Sequence, residues 1–143
     1  MRVTAMRHSY VPLLLFLGCL VAPPAAGQDA ADAPEYSKRM GRRSWLQCRS
    51  CHALKPSDPP NVSGPSLCGV LGRTAGTTTD FKFSEVVVKS KLEWTREELD
   101  KYVDNPAAYF PGVAMAFAGI KDPIERYNLL EYVIKTGVGC EAK

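Results

Sequence analysis

The sequence of 143 residues is poor in histidine, in net charge of either sign and in long apolar runs. Its two histidines leave few imidazoles with which to build a metal site. A formal net charge of +3 is far below that of a typical nucleic-acid-binding protein, so we expect no nucleic-acid partner. The longest apolar run, residues 11–22, has about half of the ~20 residues that a transmembrane helix needs.

Residues 1–27 have the order of a secretory signal peptide. Arg2 and Arg7 give a basic start, residues 11–22 are apolar, and small residues follow. We predict cleavage after residue 27, an exported soluble protein, and no stable membrane insertion once the signal is removed. A lipoprotein site at Cys19 is the alternative, although the residues before it fit that pattern poorly.

The sequence after the signal peptide predicts a disordered lead-in rich in Ala and Asp at residues 28–34. It then predicts one all-α domain over residues 35–143. Three main helices and a short one are indicated by apolar periodicity and capping residues. They cover residues 35–47, residues 84–90 (the short one), the segment from Thr95 to Pro106 and the segment from Asp122 to Gly137. No strand, repeat or second domain is indicated, and the long loops rich in Pro and Gly need something to wrap around.

Two of these helices begin with the pattern of a capping box. Thr95 and Glu98 stand three residues apart at the start of one helix, and Asp122 and Glu125 at the start of the last. In a capping box each side chain accepts a hydrogen bond from the backbone amide of the other residue. We therefore expect Glu98 and Glu125 to bond back to their helix starts, and Ser84 to cap the short helix.

The sequence Cys48-Arg49-Ser50-Cys51-His52 is the pattern of c-type haem attachment. One turn of chain places both sulfurs against one edge of the macrocycle, and the imidazole of His52 then lies beneath the iron. A redox dithiol is disfavoured because such pairs sit in a strand–helix alternation. A zinc site needs two further ligands at suitable spacing, and none is evident.

A second axial ligand for the iron must come from far along the chain. Outside the leader the methionines are Met40 and Met115. Met40 is too close in sequence to His52 to reach the opposite face of the haem easily. Met115 lies in a long apolar loop, at residues 111–119, and is free to cross over, so we predict that it binds the iron.

Most of the mature chain, residues 40–136, carries further motifs in a consistent order and spacing. They are Gly64-Pro65-Ser66-Leu67, Gly72-Arg73, Trp94, Tyr102, Asn105-Pro106, Tyr109, Pro111-Gly112, Met115, Phe117-Ala118-Gly119-Ile120 and Glu125-Arg126 with Leu129 and Tyr132. In these motifs the chain resembles the class I cytochromes c. The resemblance implies the cytochrome c fold, with long loops wrapped around one haem c that is covalently bound through Cys48 and Cys51.

The resemblance also implies roles for residues around the haem. The carbonyl of Pro65 would accept a hydrogen bond from His52, which fixes the ring and raises its basicity. Arg73 and Trp94 would donate to a buried propionate, and Tyr102 would direct its hydroxyl to the sulfur of Met115.

Two further features are read with the help of the resemblance. Gly41 would let the first and last helices cross closely. The segment after Pro65 would lie near the last helix, so Cys68 and Cys140 could form a disulfide, which would persist in an exported protein. Two unpaired thiols are the alternative.

The function that the resemblance implies is one-electron transfer in the periplasm by a monomer that is not an enzyme. Its partners would be redox proteins: a terminal oxidase, a photosynthetic reaction centre or a periplasmic dehydrogenase. The alternative is a haem enzyme or sensor in which Met115 dissociates and the iron binds peroxide or a gas. A zinc-binding interaction module is a third, weaker possibility.

The family often has lysines around the exposed haem edge, and this chain lacks most of them. The matching positions hold Gln47, Val62, Ala107 and Ala114, with Lys121 as one remaining lysine and Arg49 nearby. We therefore expect docking to depend on apolar contact more than on electrostatic steering.

Overall fold

A computed structural model describes residues 34–59 and 63–140, and it shows the predicted all-α architecture. The helices are α1 (Lys38–Trp45), α2 (Glu85–Ser90), α3 (Arg96–Asp104), α4 (Pro106–Tyr109) and α5 (Pro123–Thr136). Among these residues β-pairing is limited to an isolated bridge between Thr74 and Glu93. The predicted signal peptide and all but the last residue of the predicted lead-in lie outside the described residues. No described helix is both long and apolar enough to cross a membrane.

Helix α1 is shorter than the sequence predicts. The prediction covered residues 35–47, but the helix begins at Lys38, because the Ser37 side chain accepts a hydrogen bond from the Met40 amide and so acts as the N-cap. It ends at Trp45, and the backbone continues in turns as far as Cys51.

The capping-box predictions are half right. Thr95 accepts from the Glu98 amide at 3.2 Å, and Asp122 accepts from the amides of Ile124 and Glu125 at 2.8 and 3.3 Å. Neither glutamate bonds back to its helix start in the described structure. Glu98 accepts from Lys101 and from a tyrosine hydroxyl, and Glu125 accepts from Ser44. Both carboxylates therefore bond to other side chains instead of to the backbone at the start of their own helix.

Pro106 ends α3 as predicted, but it also starts a helix that the sequence reading missed. The side chain of Asn105 accepts from the Ala108 amide at 3.3 Å, and Pro106 occupies the first turn of α4. Proline is well suited to that position because its missing N–H has no partner there in any helix. The loop predicted at residues 111–119 therefore follows α4 directly rather than α3.

The first and last helices cross at Gly41, as expected. A Cβ at this position would overlap the carbonyl oxygen of Asn128 and lie 2.6 Å from Cβ of Tyr132. Asn128 is 1% exposed, and its Oδ1 accepts from the Ser37 amide at 2.6 Å. The crossing is therefore held by contact and by a partly buried hydrogen bond between α5 and the start of α1.

The core lies between the α1–α5 pair, helix α3, which packs against α5, helix α4, which packs against α3, and the loops. Its buried members are Trp45, Leu54, Val70, Ala75, Val87, Trp94, Leu99, Phe110, Ile120, Leu129, Leu130 and Val133. Several come from loops, so the loop conformations depend on the same core as the helices.

The crossing predicts that Gly41→Ala is destabilising. Alanine favours a helix over glycine by about 1 kcal/mol, but overpacking against a backbone oxygen costs about 1–3 kcal/mol. Because the overlap is with a backbone oxygen, which cannot move aside cheaply, the cost lies in the upper part of that range, and after the helix gain we expect a net loss of about 1–2 kcal/mol in the free energy of unfolding, measured with urea. Met40→Ala, on the exposed side of α1, is the control and should change stability by less than about 0.5 kcal/mol. A Gly41→Ala protein as stable as the wild type would contradict the close crossing.

Candidate haem-binding site

The turn after α1 presents the two thiols and the imidazole of the attachment motif together. The Cys48 amide donates to the Trp45 carbonyl at 2.9 Å, and the amides of Cys51 and His52 donate to the Cys48 carbonyl at 3.0 and 2.9 Å. This places the three side chains within one turn of backbone. Cys48 and Cys51 are half-buried and unbridged, as thioether formation requires.

The His52 ring is fixed by the loop that follows. Its Nδ1 lies 2.7 Å from the Pro65 carbonyl oxygen; because a carbonyl can only accept, Nδ1 carries the proton and Nε2 is left for a metal. A Cβ on Gly64 would lie 2.7 Å from Cε1 of His52, so the Gly64 backbone closes directly on the ring. Burial lowers the pKa of His52 and so favours the neutral imidazole, and the bond to Pro65 partly offsets this effect.

The surroundings of the thiols do not favour zinc. Burial, and secondarily the neighbouring Cys51, raise the pKa of the Cys48 thiol to about 11. In the absence of a metal this thiol is therefore protonated at neutral pH. Across residues 34–59 and 63–140, no three His, Cys, Asp or Glu side chains are grouped so as to hold a metal.

Met115 lies in the segment between α4 and α5, and two hydrogen bonds from elsewhere in the fold reach it or its neighbour. The Tyr102 hydroxyl, from α3, donates to the Met115 sulfur at 3.4 Å, as the resemblance implied. Burial raises the pKa of Tyr102 to about 12, so it remains a donor at neutral pH. The Ala114 amide donates to Ser84 Oγ at 2.9 Å, a contact that the sequence did not indicate.

The C-terminal end of the Met115 loop is tied to α3 and α5 by Arg126. Its guanidinium donates to both carboxylate oxygens of Asp100 at 2.9 and 3.2 Å, and to the carbonyls of Ile120 and Lys121 at 2.9 and 3.0 Å. The sequence motifs include Arg126, but its partners could not be predicted because they lie far apart along the chain.

Arg73 and Trp94 are brought side by side by their backbones. The Trp94 amide donates to the Arg73 carbonyl at 3.0 Å. The Arg73 guanidinium, however, donates to the carbonyls of Ser66 and Cys68 at 2.8 and 3.2 Å, in the loop that begins at Pro65. Burial lowers its pKa, partly opposed by the negative charge of Asp80. In this structure Arg73 therefore supports the loop on the His52 side, and propionate binding by Arg73 and Trp94 stays a prediction.

Cys68 and Cys140 are adjacent in space. Their sulfurs are in contact, and their Cα atoms are 5.6 Å apart, within the range that a disulfide requires. The Gly69 amide also donates to the Gly137 carbonyl at 2.8 Å, which joins the two segments through their backbones.

The residues present fit a c-type haem. Cys48 and Cys51 offer two half-buried thiols, and Met115 offers a thioether. His52 offers an imidazole whose Nε2 has no hydrogen-bond partner among the described residues. These are the groups that attach and bind this cofactor. The described residues also include half-buried apolar and aromatic side chains that pack on the core and are of the kind that contacts a flat macrocycle: Leu67, Phe83, Tyr102, Val113 and Phe117. Fold and site together define a c-type haem protein.

Comparison with known proteins identifies the family. No family model matches the chain. It is 36% identical to "Cytochrome c2" of Blastochloris viridis over 119 residues, 83% of this chain and 87% of that one. It is 43% identical to "Cytochrome c2 iso-2" of Magnetospirillum molischianum over 103 residues, which are 72% of this chain and 96% of that one. It is 33% identical to "Cytochrome c" of Kluyveromyces lactis over 114 residues, which are 80% of this chain and 96% of that one. The chain belongs to the class I cytochrome c family of electron carriers and binds one covalent haem c through Cys48 and Cys51.

Proposed function

We propose that the protein is a one-electron carrier of the periplasm whose haem iron is bound by His52 and Met115. The observation that carries this proposal is the hydrogen bond from Tyr102 to the Met115 sulfur, because it gives a thioether in a long loop a fixed position. For the other proposed ligand, the bond from His52 to Pro65 orients the ring and would leave Nε2 for the iron.

The bound haem would supply the iron(III)/iron(II) couple, and the chain would keep its surroundings constant during the change. The His52 ring is held between Pro65 and Gly64, and the Met115 loop is held by Tyr102 and Arg126. Ligands that do not move require little rearrangement when an electron arrives or leaves. The apolar side chains around them limit the access of water.

An absorption spectrum of the ferric protein tests the ligand pair. We expect a methionine-to-iron charge-transfer band that is lost in Met115→Ala and retained in Met40→Ala. Met40 is the matched control because it is 39% exposed on α1. High-spin ferric haem in the wild type at neutral pH would contradict the proposal and favour an enzyme or sensor with an open iron position.

The proposed partners are redox proteins: a terminal oxidase, a reaction centre or a periplasmic dehydrogenase. The protein would be a monomer, and these partners would bind to an uncharged part of its surface. The segment of residues 106–119 contains no charged side chain, and Ala107 and Ala114 within it are exposed. Lys121 beyond it donates to the Asp104 carbonyl at 2.6 Å and lies 3.5 Å from the Asp104 carboxylate, which offsets part of its charge. Contact there would be apolar.

The rate of electron transfer to the anionic oxidant hexacyanoferrate(III) measures the charge around the haem edge. We expect the rate to fall little between low and physiological ionic strength, because there are few local charges to screen. Ala114→Lys should raise the rate at low salt and introduce a salt dependence. A steep salt dependence in the wild type would contradict docking through apolar contact.

Export and a disulfide belong to the same proposal. Residues 1–27 have the signal-peptide pattern, and the Cys68–Cys140 contact would persist as a bridge in an oxidising compartment. With a sequence separation of 72 between its cysteines, the bridge would contribute roughly 4 kcal/mol in the chain-entropy account.

The intact mass of protein from the periplasmic fraction, unfolded and alkylated without reductant, tests both points. We expect a chain that begins at Gln28, carries one haem and takes up no alkyl group. Prior reduction is the control and should add two alkyl groups, at Cys68 and Cys140. Two alkyl groups without reduction would exclude the bridge, and a retained leader would exclude cleavage at this site.

A further inference from the structure

The His52 ring is held by a short stretch of chain, residues 64–70, called here the Pro65 loop. Near its start the Pro65 carbonyl accepts a hydrogen bond from Nδ1 of His52 at 2.7 Å. Further along the same loop, Cys68 meets Cys140 beyond the end of α5. The contact that orients the ring and the proposed disulfide therefore lie close together on one loop.

Other hydrogen bonds of the Pro65 loop do not connect it to a helix. The Leu67 amide donates to the Ala53 carbonyl at 2.9 Å, which joins the loop to the residue directly after His52. Arg73, in the chain just after the loop, donates to two of the loop's carbonyls. These bonds shape the loop and join it to the attachment motif, but they do not fix it against the helices.

The far end of the Pro65 loop is tied to the end of α5, although apolar packing there is incomplete. The Gly69 amide donates to the Gly137 carbonyl at 2.8 Å. Beside this bond lies an open groove of about 270 Å³. Its aliphatic lining residues are Leu67, Val70, Leu71, Val133, Ile134 and Val138. Leu71 and Val138 are 47% and 65% exposed. Because side chains that face a groove lack packing partners on one side, the proposed bridge would be the strongest tie at this end.

We propose that Cys68 and Cys140 are positioning residues for His52: their disulfide fixes the Pro65 loop against the end of α5 and so keeps the Pro65 carbonyl on Nδ1 of the ring. The inference rests on two parts of the proposed function, the disulfide and His52 as an axial ligand. It does not depend on the identity of the second ligand. The cysteines act through the backbone of the loop.

The reduction potential should respond to the bridge. A histidine that donates its outer ring proton to a carbonyl is a more basic metal ligand, and a more basic ligand favours iron(III) over iron(II). Without the bridge, this hydrogen bond is broken in more of the molecules, so the reduction potential rises. We expect a change of about threefold in the iron(II)/iron(III) equilibrium, smaller than the roughly fivefold effect of one whole hydrogen bond. Threefold corresponds to about 28 mV for a one-electron couple.

Potentiometry of the protein with its haem tests the proposal. Cys68→Ser and Cys140→Ser each remove the bridge, so both should raise the potential by about threefold in the equilibrium constant. The double variant should shift no further, whereas the effects of two independent side chains would add. Wild-type protein whose bridge is reduced and alkylated after folding gives the same comparison without a variant.

Asp122→Ala is the control for a general loss of stability. It removes the N-cap of α5, at the end of the helix away from the bridge, and should cost about 1 kcal/mol in the free energy of unfolding. Its reduction potential should remain that of the wild type, because the Pro65 loop is untouched.

The ring proton of His52 gives a second measurement. The only other histidine, His8, lies in the predicted signal peptide, so nitrogen-15 in histidine labels one ring in the cleaved protein. In the reduced, diamagnetic state the Nδ1 proton should exchange with solvent faster in Cys68→Ser than in the wild type, because exchange requires the loop to open. In Asp122→Ala it should exchange at the wild-type rate.

Three results would each overturn the positioning role: unchanged potentials without the bridge, additive shifts in the double variant, or an equal rise in Asp122→Ala. Failures of the proposed function look different. Two alkyl groups taken up by unreduced protein would exclude the bridge itself. Ring protons of His52 without a ring-current shift in the reduced wild type would exclude His52 as a ligand.

Discussion

The close crossing of α1 and α5 at Gly41 is the contact on which both sides of the site depend. Helix α1 leads directly into the turn that carries Cys48 and His52, so its position sets where that turn begins. Helix α5 carries Arg126, which ties the end of the Met115 loop to α3. A side chain at Gly41 would separate the helices and, with them, the supports of the two proposed ligands.

The two proposed ligands are supported in different ways. His52 belongs to a local turn and needs only a nearby loop, in which the Pro65 carbonyl and the Gly64 backbone fix the ring. Met115 is far from regular structure and depends on hydrogen bonds from separate elements, through Tyr102 and Ser84. The methionine side is therefore the one at which single substitutions should loosen the site, and the one that decides between a carrier and a ligand-binding haem protein.

Local patterns made much of this structure predictable from the sequence. The attachment motif lies within five residues, and the ends of α5 are marked by Asp122, Pro123 and Gly137, so neither required knowledge of distant contacts. The resemblance supplied the fold and the contact between Tyr102 and Met115.

Predictions failed where a side chain had a tertiary partner that competed with its local one. Glu125 bonds to Ser44 rather than completing a capping box, and Ser84 bonds to Ala114 rather than to α2. The carbonyl partners of Arg73 were missed because they become its neighbours only when the Pro65 loop folds back, and its binding of a propionate stays a prediction. Helix α4 was missed because the proline that ends α3 also starts it.

The methyl resonances of the methionines in the reduced, diamagnetic protein test the account most directly. A methyl group on the sulfur that binds the iron lies over the macrocycle, where the ring current shifts its proton signal far upfield. With carbon-13 in the methionine methyls, we predict one strongly upfield signal that disappears in Met115→Leu, and a Met40 signal in the ordinary range. A spectrum without an upfield methionine methyl, or one in which that signal belongs to Met40, would contradict Met115 as the ligand that makes this protein an electron carrier.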